Sequence, residues 1–129
     1  MRRESLFFTG PGETSIREEI LPPLQPGQVL VQALLSAISP GTEMLVYKGQ
    51  FPAGLPTDTS ISTLAKEFKY PLKYGYCSVG RVIQVGSPDL SAWQEQLVFS
   101  FQPHQSHFIA SPDEVKPLPE GVSVEGAVF

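Results

Sequence analysis

The segment PGQVLVQALLSAISPGTE, residues 26–43, decides how this chain folds. It holds a nine-residue, mostly apolar run at 29–37 that follows a Pro-Gly turn and stops before Pro40 and Gly41. Successive side chains of an extended strand point to opposite faces, and in this run both faces are largely apolar. The segment therefore predicts a strand near the middle of a barrel or sandwich rather than at a solvent-exposed edge.

Further strands are predicted on both sides of this run. Thirteen prolines and eleven glycines interrupt the 129-residue chain too often for long helices, and the intervening segments are rich in Val, Ile, Phe and Leu. Gly80 would permit a bend or bulge as the sheet closes. The sequence thus predicts one mainly β domain over residues 1–129, closed into a barrel. The predicted strands cover residues 5–8, 15–20, 29–37, 78–85, 96–101 and 106–110.

One long irregular segment and two short helical segments complete the prediction. Residues 51–73 follow no strand or helix pattern, and the Ser- and Thr-rich part at 57–63 predicts a mobile surface loop. Residues 111–114 have the spacing of a capping box, with Pro at the first helical position. Ser123 would cap a helix that is cut off within about two turns, so the natural protein is expected to continue beyond this chain.

Composition and charge exclude several classes of function. The nine Lys and Arg are scattered, apart from the Arg2-Arg3 pair, and the net charge is −4, so no basic face for nucleic acid is expected. No apolar run approaches the roughly 20 residues of a membrane span, and the N-terminus lacks the pattern of a signal peptide. Cys77 is the single cysteine, which excludes an internal disulfide and a multi-cysteine zinc lobe. We predict a soluble, cytoplasmic protein without nucleic-acid or membrane partners.

Short motifs spread along the chain carry a family resemblance. PGQVLV at 26–31 is similar to a P-G-E-V-L-V motif, and AISPGTE at 37–43 stands in the place of G-I-C-G-T-D. YPLKYGY at 70–76 stands in the place of P-x-x-x-G-H-E, and VGRVIQVG at 79–86 in that of G-x-G-x-V-x-x-V-G. With PLPEGVS at 117–123, these motifs resemble the N-terminal, GroES-like domain of the medium-chain dehydrogenase/reductase superfamily, in order and over essentially the whole chain.

This resemblance implies a partly open β-barrel that forms the substrate side of a cleft, opposite a Rossmann domain that binds NAD(P)H. No G-x-G-x-x-G follows a strand in the sequence, so this chain alone is expected neither to bind the cofactor well nor to turn over. The implied partners are a small-molecule substrate and the missing C-terminal Rossmann domain, and homo-oligomerisation of the full-length protein stays open. The chain is most similar to a divergent branch that includes the bacteriochlorophyllide dehydrogenase-like proteins.

The resemblance also bears on zinc. Zinc-dependent members of the family hold a catalytic metal through a Cys and a His, helped by a second Cys or an acidic residue. In this chain Ser39 or Pro40 stands at the Cys position, and Tyr76-Cys77 replaces the His-Glu pair. Neither serine nor tyrosine is an ordinary zinc ligand, so no zinc is expected.

The candidate catalytic residues are Thr42, Glu43, Tyr76 and His107. The resemblance implies that Thr42 relays the substrate proton and that Glu43 orients it. Alternatively, Thr42 caps the preceding turn and Glu43 lies in the first turn of a helix. Tyr76 either donates a proton in place of a metal or packs in the barrel. His104 and His107 point to opposite faces if their segment is extended. Either His104 is a loop residue and His107 a strand residue without chemistry, or one of them exchanges a proton near the substrate.

Three functions remain as hypotheses. In the first, the chain is the substrate-side domain of a metal-independent, NAD(P)H-dependent oxidoreductase acting on an alcohol, ketone or conjugated carbonyl. In the second, it is a stand-alone GroES-like module that binds a protein through residues 51–69 without catalysis. In the third, it is a lone metal-binding domain, which predicts stoichiometric zinc.

Overall fold

The N-terminal part of the chain is a β-hairpin. In the computed structural model, which describes residues 1–49 and 70–128, β1 (Arg2–Gly10) pairs antiparallel with β2 (Glu13–Ile20). The connecting turn contains Gly12, whose φ of +70° lies in the left-handed region that favours glycine. Both predicted strands are present, each longer than the sequence pattern indicated.

The other strands form one antiparallel sheet, in the spatial order β6-β3-β4-β5-β7. The predicted mainly β fold is confirmed, and β3 has the predicted bounds. The last and shortest strand was not predicted, because three residues ending in a proline are too few to show an alternating pattern. The strands of the sheet are β3 (Val29–Ala37), β4 (Cys77–Val85), β5 (Leu97–Ser100), β6 (His107–Ala110) and β7 (Val115–Pro117).

Residues 104–106 join the hairpin to the sheet. On one side the backbone N–H of Leu6 donates to the carbonyl of His104 at 2.9 Å, and the N–H of Ser106 donates to the carbonyl of Glu4 at 2.8 Å. On the other side the N–H of Ala33 donates to the carbonyl of Ser106 at 2.8 Å. This short segment therefore lies between β1 and β3, so that the strands curl into the partly open, GroES-like half-barrel that the sequence predicted.

Strand β3 is central in its first half only. Val29, Leu30 and Val31 are buried between β4 and β6, as predicted. The pairing with β6 ends at Gln32, and beyond it Leu34 is 47% exposed and Leu35 37% exposed. The expectation of a wholly interior strand is wrong for this half, because β6 is too short to cover it.

Gly80 explains how β3 and β4 stay paired along their whole length. It lies opposite Ala33, beside an irregularity in the register of β3. A Cβ atom at this position would collide with the carbonyl oxygen of Gln32. This irregularity agrees with the bend or bulge predicted at Gly80, and the absence of a side chain there permits the close approach of the two backbones.

Two clusters of buried side chains form the core. The larger cluster lies within the five-stranded sheet, with Trp93 and Leu90 packed against it from a 3₁₀ turn at Pro88–Trp93. The smaller one joins Phe8 of the hairpin to Val46 and Tyr74. The larger cluster consists of Val29, Val31, Val82, Val98, Phe108, Ala110 and Val115.

The described helices are short. Helix α1 spans Thr42–Lys48, and helix α2 spans Val124–Ala127. The predicted helical turn at residues 112–114 is confirmed as a 3₁₀ turn, where the carboxylate of Glu114 accepts from the N–H of Ser111 at 2.9 Å. The predicted cap of α2 is also confirmed, since Ser123 accepts from the N–H of Gly126 at 3.0 Å. No helix of the described residues is long and apolar enough to cross a membrane. The predicted loop at 57–63 lies outside the described residues.

Candidate active site around Glu43 and His104

Helix α1 begins immediately after the turn at Pro40 and Gly41, near the end of the segment 26–43. Gly41 occupies the N-cap position without a capping side chain, and Thr42 is the first helical residue. The alternative that Thr42 caps this turn is therefore wrong, because its backbone already has helical geometry. Glu43 does lie in the first turn of the helix, as the other part of that alternative predicted.

Glu43 links the turn at residues 39–41 to helix α1 through two hydrogen bonds with Ser39. One of its carboxylate oxygens, Oε2, accepts from the backbone N–H of Ser39 at 2.5 Å. Its own N–H donates to the carbonyl of Ser39 at 3.2 Å. These two bonds fix residues 39–43, where the family motif carries a cysteine, as one closed unit.

The other oxygen of Glu43 is bound by a histidine from a distant part of the chain. Glu43 is only 1% exposed, and its Oε1 contacts Nε2 of His104, which lies in the segment that joins β1 to β3. On the far side of the ring, Nδ1 of His104 is 2.7 Å from the hydroxyl of Ser36. A continuous chain of hydrogen bonds thus links Ser36, His104, Glu43 and the backbone of Ser39.

The hydrogen-bonded residues Ser36, His104 and Glu43 have the chemistry of an acid–base unit. A buried carboxylate is costly unless hydrogen bonds or an opposite charge satisfy it, and His104 and the Ser39 amide fulfil that need. Imidazole can donate through one nitrogen while the other accepts, so His104 can pass a proton between the Ser36 hydroxyl and the Glu43 carboxylate. The unit combines a fixed position with a ring that can both donate and accept a hydrogen bond, an arrangement suited to general acid–base catalysis.

Cys77 lies close enough to this unit to feel its charge. Burial raises the pKa of the Cys77 thiol above its ordinary value, and the negative charge of Glu43 raises it further. The thiol is therefore held in its protonated, weakly nucleophilic form at neutral pH.

Tyr76 packs against the smaller core cluster, to which Val46 of α1 belongs. Its hydroxyl is 2.7 Å from the hydroxyl of Tyr74, and the two rings meet edge to face with centroids 5.5 Å apart. Gly75 lets this stretch pass against the histidine segment, because a Cβ atom there would lie 3.3 Å from the ring of His104. Tyr76 thus packs beside the core with its phenol engaged by a second phenol, and proton donation by Tyr76 stays a prediction.

His107 makes its contacts elsewhere. It begins β6, as predicted, and its Nδ1 is 3.0 Å from the hydroxyl of Ser106. Its carbonyl accepts from the guanidinium of Arg3 at 3.5 Å, and burial lowers the pKa of its ring. Of the two histidines it is therefore His104, not His107, that the structure brings to Glu43.

Ser36 and the pairing of His104 with Glu43 were missed by the sequence analysis. His104 was noticed, but Glu43 is 61 positions away, and no local pattern connects the two residues. The isolated serine near the end of an apolar strand was the one available indication, because a half-buried hydroxyl needs a partner.

The described residues do not form a zinc site of the ordinary kind. Among them, no group of three or more His, Cys, Asp or Glu side chains could hold a metal ion. Glu43 and His104, the closest pair of suitable types, bind each other, and Tyr76 stands where the family has a histidine. Zinc content itself stays a prediction.

Known proteins resemble this chain in sequence and in fold. No family model matches the sequence. The chain is 32% identical over 89 residues to 2-desacetyl-2-hydroxyethyl bacteriochlorophyllide A dehydrogenase of Cereibacter sphaeroides, a match that covers 69% of this chain and 24% of that protein. The chain thus spans about a quarter of the length of this relative.

Solved structures match the whole fold. The CurF ER cyclopropanase of the curacin A biosynthetic pathway superposes on 98% of this chain with a TM-score of 0.74 and 24% identity, over 38% of its own length. The alcohol dehydrogenase RspB of Escherichia coli, solved with NADH, superposes on 98% of this chain with a TM-score of 0.72 and 18% identity, over 41% of its own length. The quinone oxidoreductase of Coxiella burnetii superposes on 99% of this chain with a TM-score of 0.70 and 18% identity, over 40% of its own length.

These matches agree with the order of motifs in the sequence and with the curled antiparallel sheet. Two of the three matched structures, the alcohol dehydrogenase and the quinone oxidoreductase, are oxidoreductases by name, and the aligned region is about two fifths of each solved chain. The chain accordingly has the GroES-like fold of the N-terminal domain of the medium-chain dehydrogenase/reductase superfamily, to one of whose dehydrogenases it is related in sequence.

Proposed function

We propose that this chain is the substrate-side domain of an NAD(P)H-dependent oxidoreductase that acts on an alcohol, a ketone or a conjugated carbonyl. The nucleotide-binding domain would be a separate Rossmann unit of the same protein, since the chain itself carries no glycine fingerprint for a dinucleotide. The hydride would come from the nicotinamide, and the chain described here would bind and orient the substrate and manage its proton.

The observation that carries this proposal is the buried hydrogen-bond chain from Ser36 through His104 to Glu43. Reduction of a carbonyl to an alcohol requires one proton for each hydride, and a fixed imidazole next to a carboxylate is suited to supply it. Glu43 also holds the turn at residues 39–41, which stands where the zinc-dependent relatives carry a metal-binding cysteine. If the family resemblance extends to the site, the unit would lie beside the reacting atoms of the substrate.

The roles of the four residues selected from the sequence remain part of the proposal. Thr42, next to Glu43, would relay a proton through its hydroxyl, and Glu43 would hold both that turn and His104. Tyr76 would act through its phenol, coupled to Tyr74 at 2.7 Å. His107 would exchange a proton near the substrate, although its ring contacts Ser106 rather than the acid–base pair.

We further propose that the reaction needs no zinc. Proton donors would take the place of the Lewis acid in polarising the substrate oxygen. Elemental analysis of the purified full-length protein should then find much less than one zinc per chain, and exposure to a chelator should leave its activity unchanged. Stoichiometric zinc whose removal abolishes activity would contradict this part alone.

The proposed function is tested on the full-length protein. We expect it to bind NADPH or NADH with quenching of its tryptophan fluorescence, and to oxidise the reduced cofactor when supplied with ketones, quinones or enoyl substrates. Glu43→Gln should lower kcat by about 10²-fold, the lower range for loss of acid–base assistance, while cofactor affinity is kept. Glu18→Gln, on the exposed face of the hairpin, is the matched control and should leave kcat unchanged. Failure of the full-length protein to bind either nicotinamide would overturn the proposal.

A further inference from the structure

An open pocket lies where β1 and β3 diverge on either side of residues 104–106. Its volume of about 450 Å³ is within the range of sites that take small organic molecules. The pocket is bounded by the hairpin, by the second half of β3, which β6 does not pair with, and by Ile38, which precedes the turn at residues 39–41. Its apolar walls are Leu6, Ile16, Ala33, Leu34, Leu35 and Ile38.

Several of the aliphatic side chains that form these walls are exposed to solvent. Ile16 is 63% exposed, Ile38 62% and Leu34 47%. Contiguous apolar surface of this kind marks an interaction site more often than scattered single residues do. Covering it with an apolar partner releases ordered water, with a gain of about 25 cal/mol for each Å² removed from solvent.

Ser36 and His104 are among the polar residues that line the same pocket, and they form what we call its polar part. The side chains of Ser5, Gln105 and Ser106 also line it, but they are bound to Glu19, to Lys73 and to the amide of Glu4. If Nδ1 of His104 carries a proton, it donates to Ser36, and the serine hydroxyl is left to donate to a ligand carbonyl. If Nδ1 accepts from Ser36, the serine oxygen retains lone pairs for a ligand hydroxyl. In both states the serine can bind one oxygen atom, while Glu43 fixes the imidazole from behind.

The charges around the pocket favour a neutral ligand. On the hairpin face that carries Leu6 and Ile16, the guanidinium of Arg2 is paired with the carboxylate of Glu18 at 3.0 Å. The acidic Glu4 lies on the pocket lining and is exposed. An anionic ligand would therefore meet a carboxylate and a cation that is already paired, whereas an uncharged molecule meets neither penalty.

We infer that this pocket binds a neutral, mainly hydrocarbon small molecule through one carbonyl or hydroxyl oxygen, which Ser36 holds by a hydrogen bond. Ser36 contacts the ligand, and His104 is a positioning residue that acts through Ser36. The pocket is a substrate subsite only if the proposed function is right, and to that extent the inference rests on it. Ligand binding to the pocket is measured without cofactor, so the binding inference and the proposed function are tested separately.

The experiment compares two probes that differ by one carbonyl group, 1-indanone and indane. The ¹⁵N-labelled protein is titrated with each, and the side-chain nitrogen resonances of His104 are followed together with the backbone amides of β3. We expect 1-indanone to bind about fivefold to tenfold more tightly than indane, as one hydrogen bond to a ligand oxygen allows. We also expect 1-indanone, and not indane, to shift the Nδ1 resonance of His104.

Three variants separate the polar part of the pocket from the apolar part. Ser36→Ala should reduce the ratio of the two affinities to about one without weakening indane, and Ser36→Thr should restore the ratio. Leu34→Ser should weaken both probes alike. Ser91→Ala, on the exposed 3₁₀ turn, is the matched control and should change neither affinity.

Two results would overturn the inference. One is equal affinity for the two probes in the unaltered protein, because the polar part would then contribute nothing. The other is no binding of either probe at about 1 mM, because the pocket would then not take a neutral hydrocarbon molecule of this size. If 1-indanone binds as expected but the full-length protein binds no nicotinamide, the proposed function fails and the pocket stands. If the full-length protein turns over while Ser36→Ala leaves kcat/KM unchanged, the pocket fails as a substrate subsite and the function stands.

Discussion

The imidazole of His104 and the carboxylate of Glu43 meet inside the domain, although 61 positions separate them in the sequence. Glu43 comes from the first turn of α1, and His104 comes from the segment that joins the hairpin to the sheet. The side chain of Glu43 is 1% exposed and that of His104 10%. Water therefore contributes little to their solvation, and each depends on the other.

Removal of either partner should destabilise the domain strongly and non-additively. We expect Glu43→Ala and His104→Ala each to lower the free energy of unfolding by about 3 kcal/mol, because each leaves a buried polar group without its partner. The double variant should lose about 1–3 kcal/mol less than the sum of the two. Urea unfolding of the four proteins measures this coupling, and strict additivity would show that the two groups do not depend on each other.

Acid should destabilise the junction of hairpin and sheet through Glu19. Burial by itself would raise the pKa of Glu19, but hydrogen bonds from Lys73 and Ser5 and the charges of Lys73 and Arg3 outweigh it and lower the pKa from 4.5 to about 2. A carboxyl with a lowered folded-state pKa stabilises the fold above its unfolded pKa. That contribution should be lost between about pH 4.5 and pH 2.

Because the side chain of Glu19 is 29% exposed, we expect this contribution to be about 1–2 kcal/mol after screening by solvent. Urea unfolding at a series of pH values from 6 downwards measures it, and Glu19→Gln should flatten the slope in that window. Glu18→Gln is the control, since its salt bridge with Arg2 is largely exposed. An unchanged slope in Glu19→Gln would contradict the assignment.

The reactivity of Cys77 should report the charge on Glu43. Burial and then the Glu43 carboxylate raise the pKa of the thiol, so alkylation at pH 8 should be slower than that of a free cysteine. In Glu43→Gln the electrostatic contribution disappears, and we expect the rate to rise severalfold with a lower apparent pKa. Glu4→Gln should leave the rate unchanged. Equal rates in Glu43→Gln and the unaltered protein would mean that Glu43 carries no charge at that pH.

Gly80 should be essential to the sheet. Gly80→Ala places a methyl group against the carbonyl of Gln32, and the paired backbones of β3 and β4 must separate to admit it. We expect a loss of about 3 kcal/mol or more in the free energy of unfolding, or no folded protein. Gly41→Ala is the matched control, because space around Gly41 is open and its φ is −77°. A cost below about 1 kcal/mol at Gly80 would show that the strands can shift without loss.

The sequence by itself determined the elements whose signals are local. The apolar run at 29–37, between the turn at Pro26-Gly27 and Pro40-Gly41, set the bounds of β3, because turn residues and apolar runs are local features of the sequence. Ser123 predicted the start of α2 because a cap bonds only to the next turn. Gly80 predicted a bend for a related reason, since only glycine lacks the Cβ that would prevent close approach.

Only the tertiary structure decided which side chains meet. The candidate chosen from the sequence was His107, whereas His104 meets Glu43, because this contact depends on how residues 104–106 lie between β1 and β3. Nor could it show that the second half of β3 is uncovered, since this follows from the length of β6, a strand that comes much later in the chain. Side-chain periodicity fixes which face a residue shares with its neighbours. Contacts across 61 positions depend on the path of the whole backbone, and that path brought Glu43 to His104.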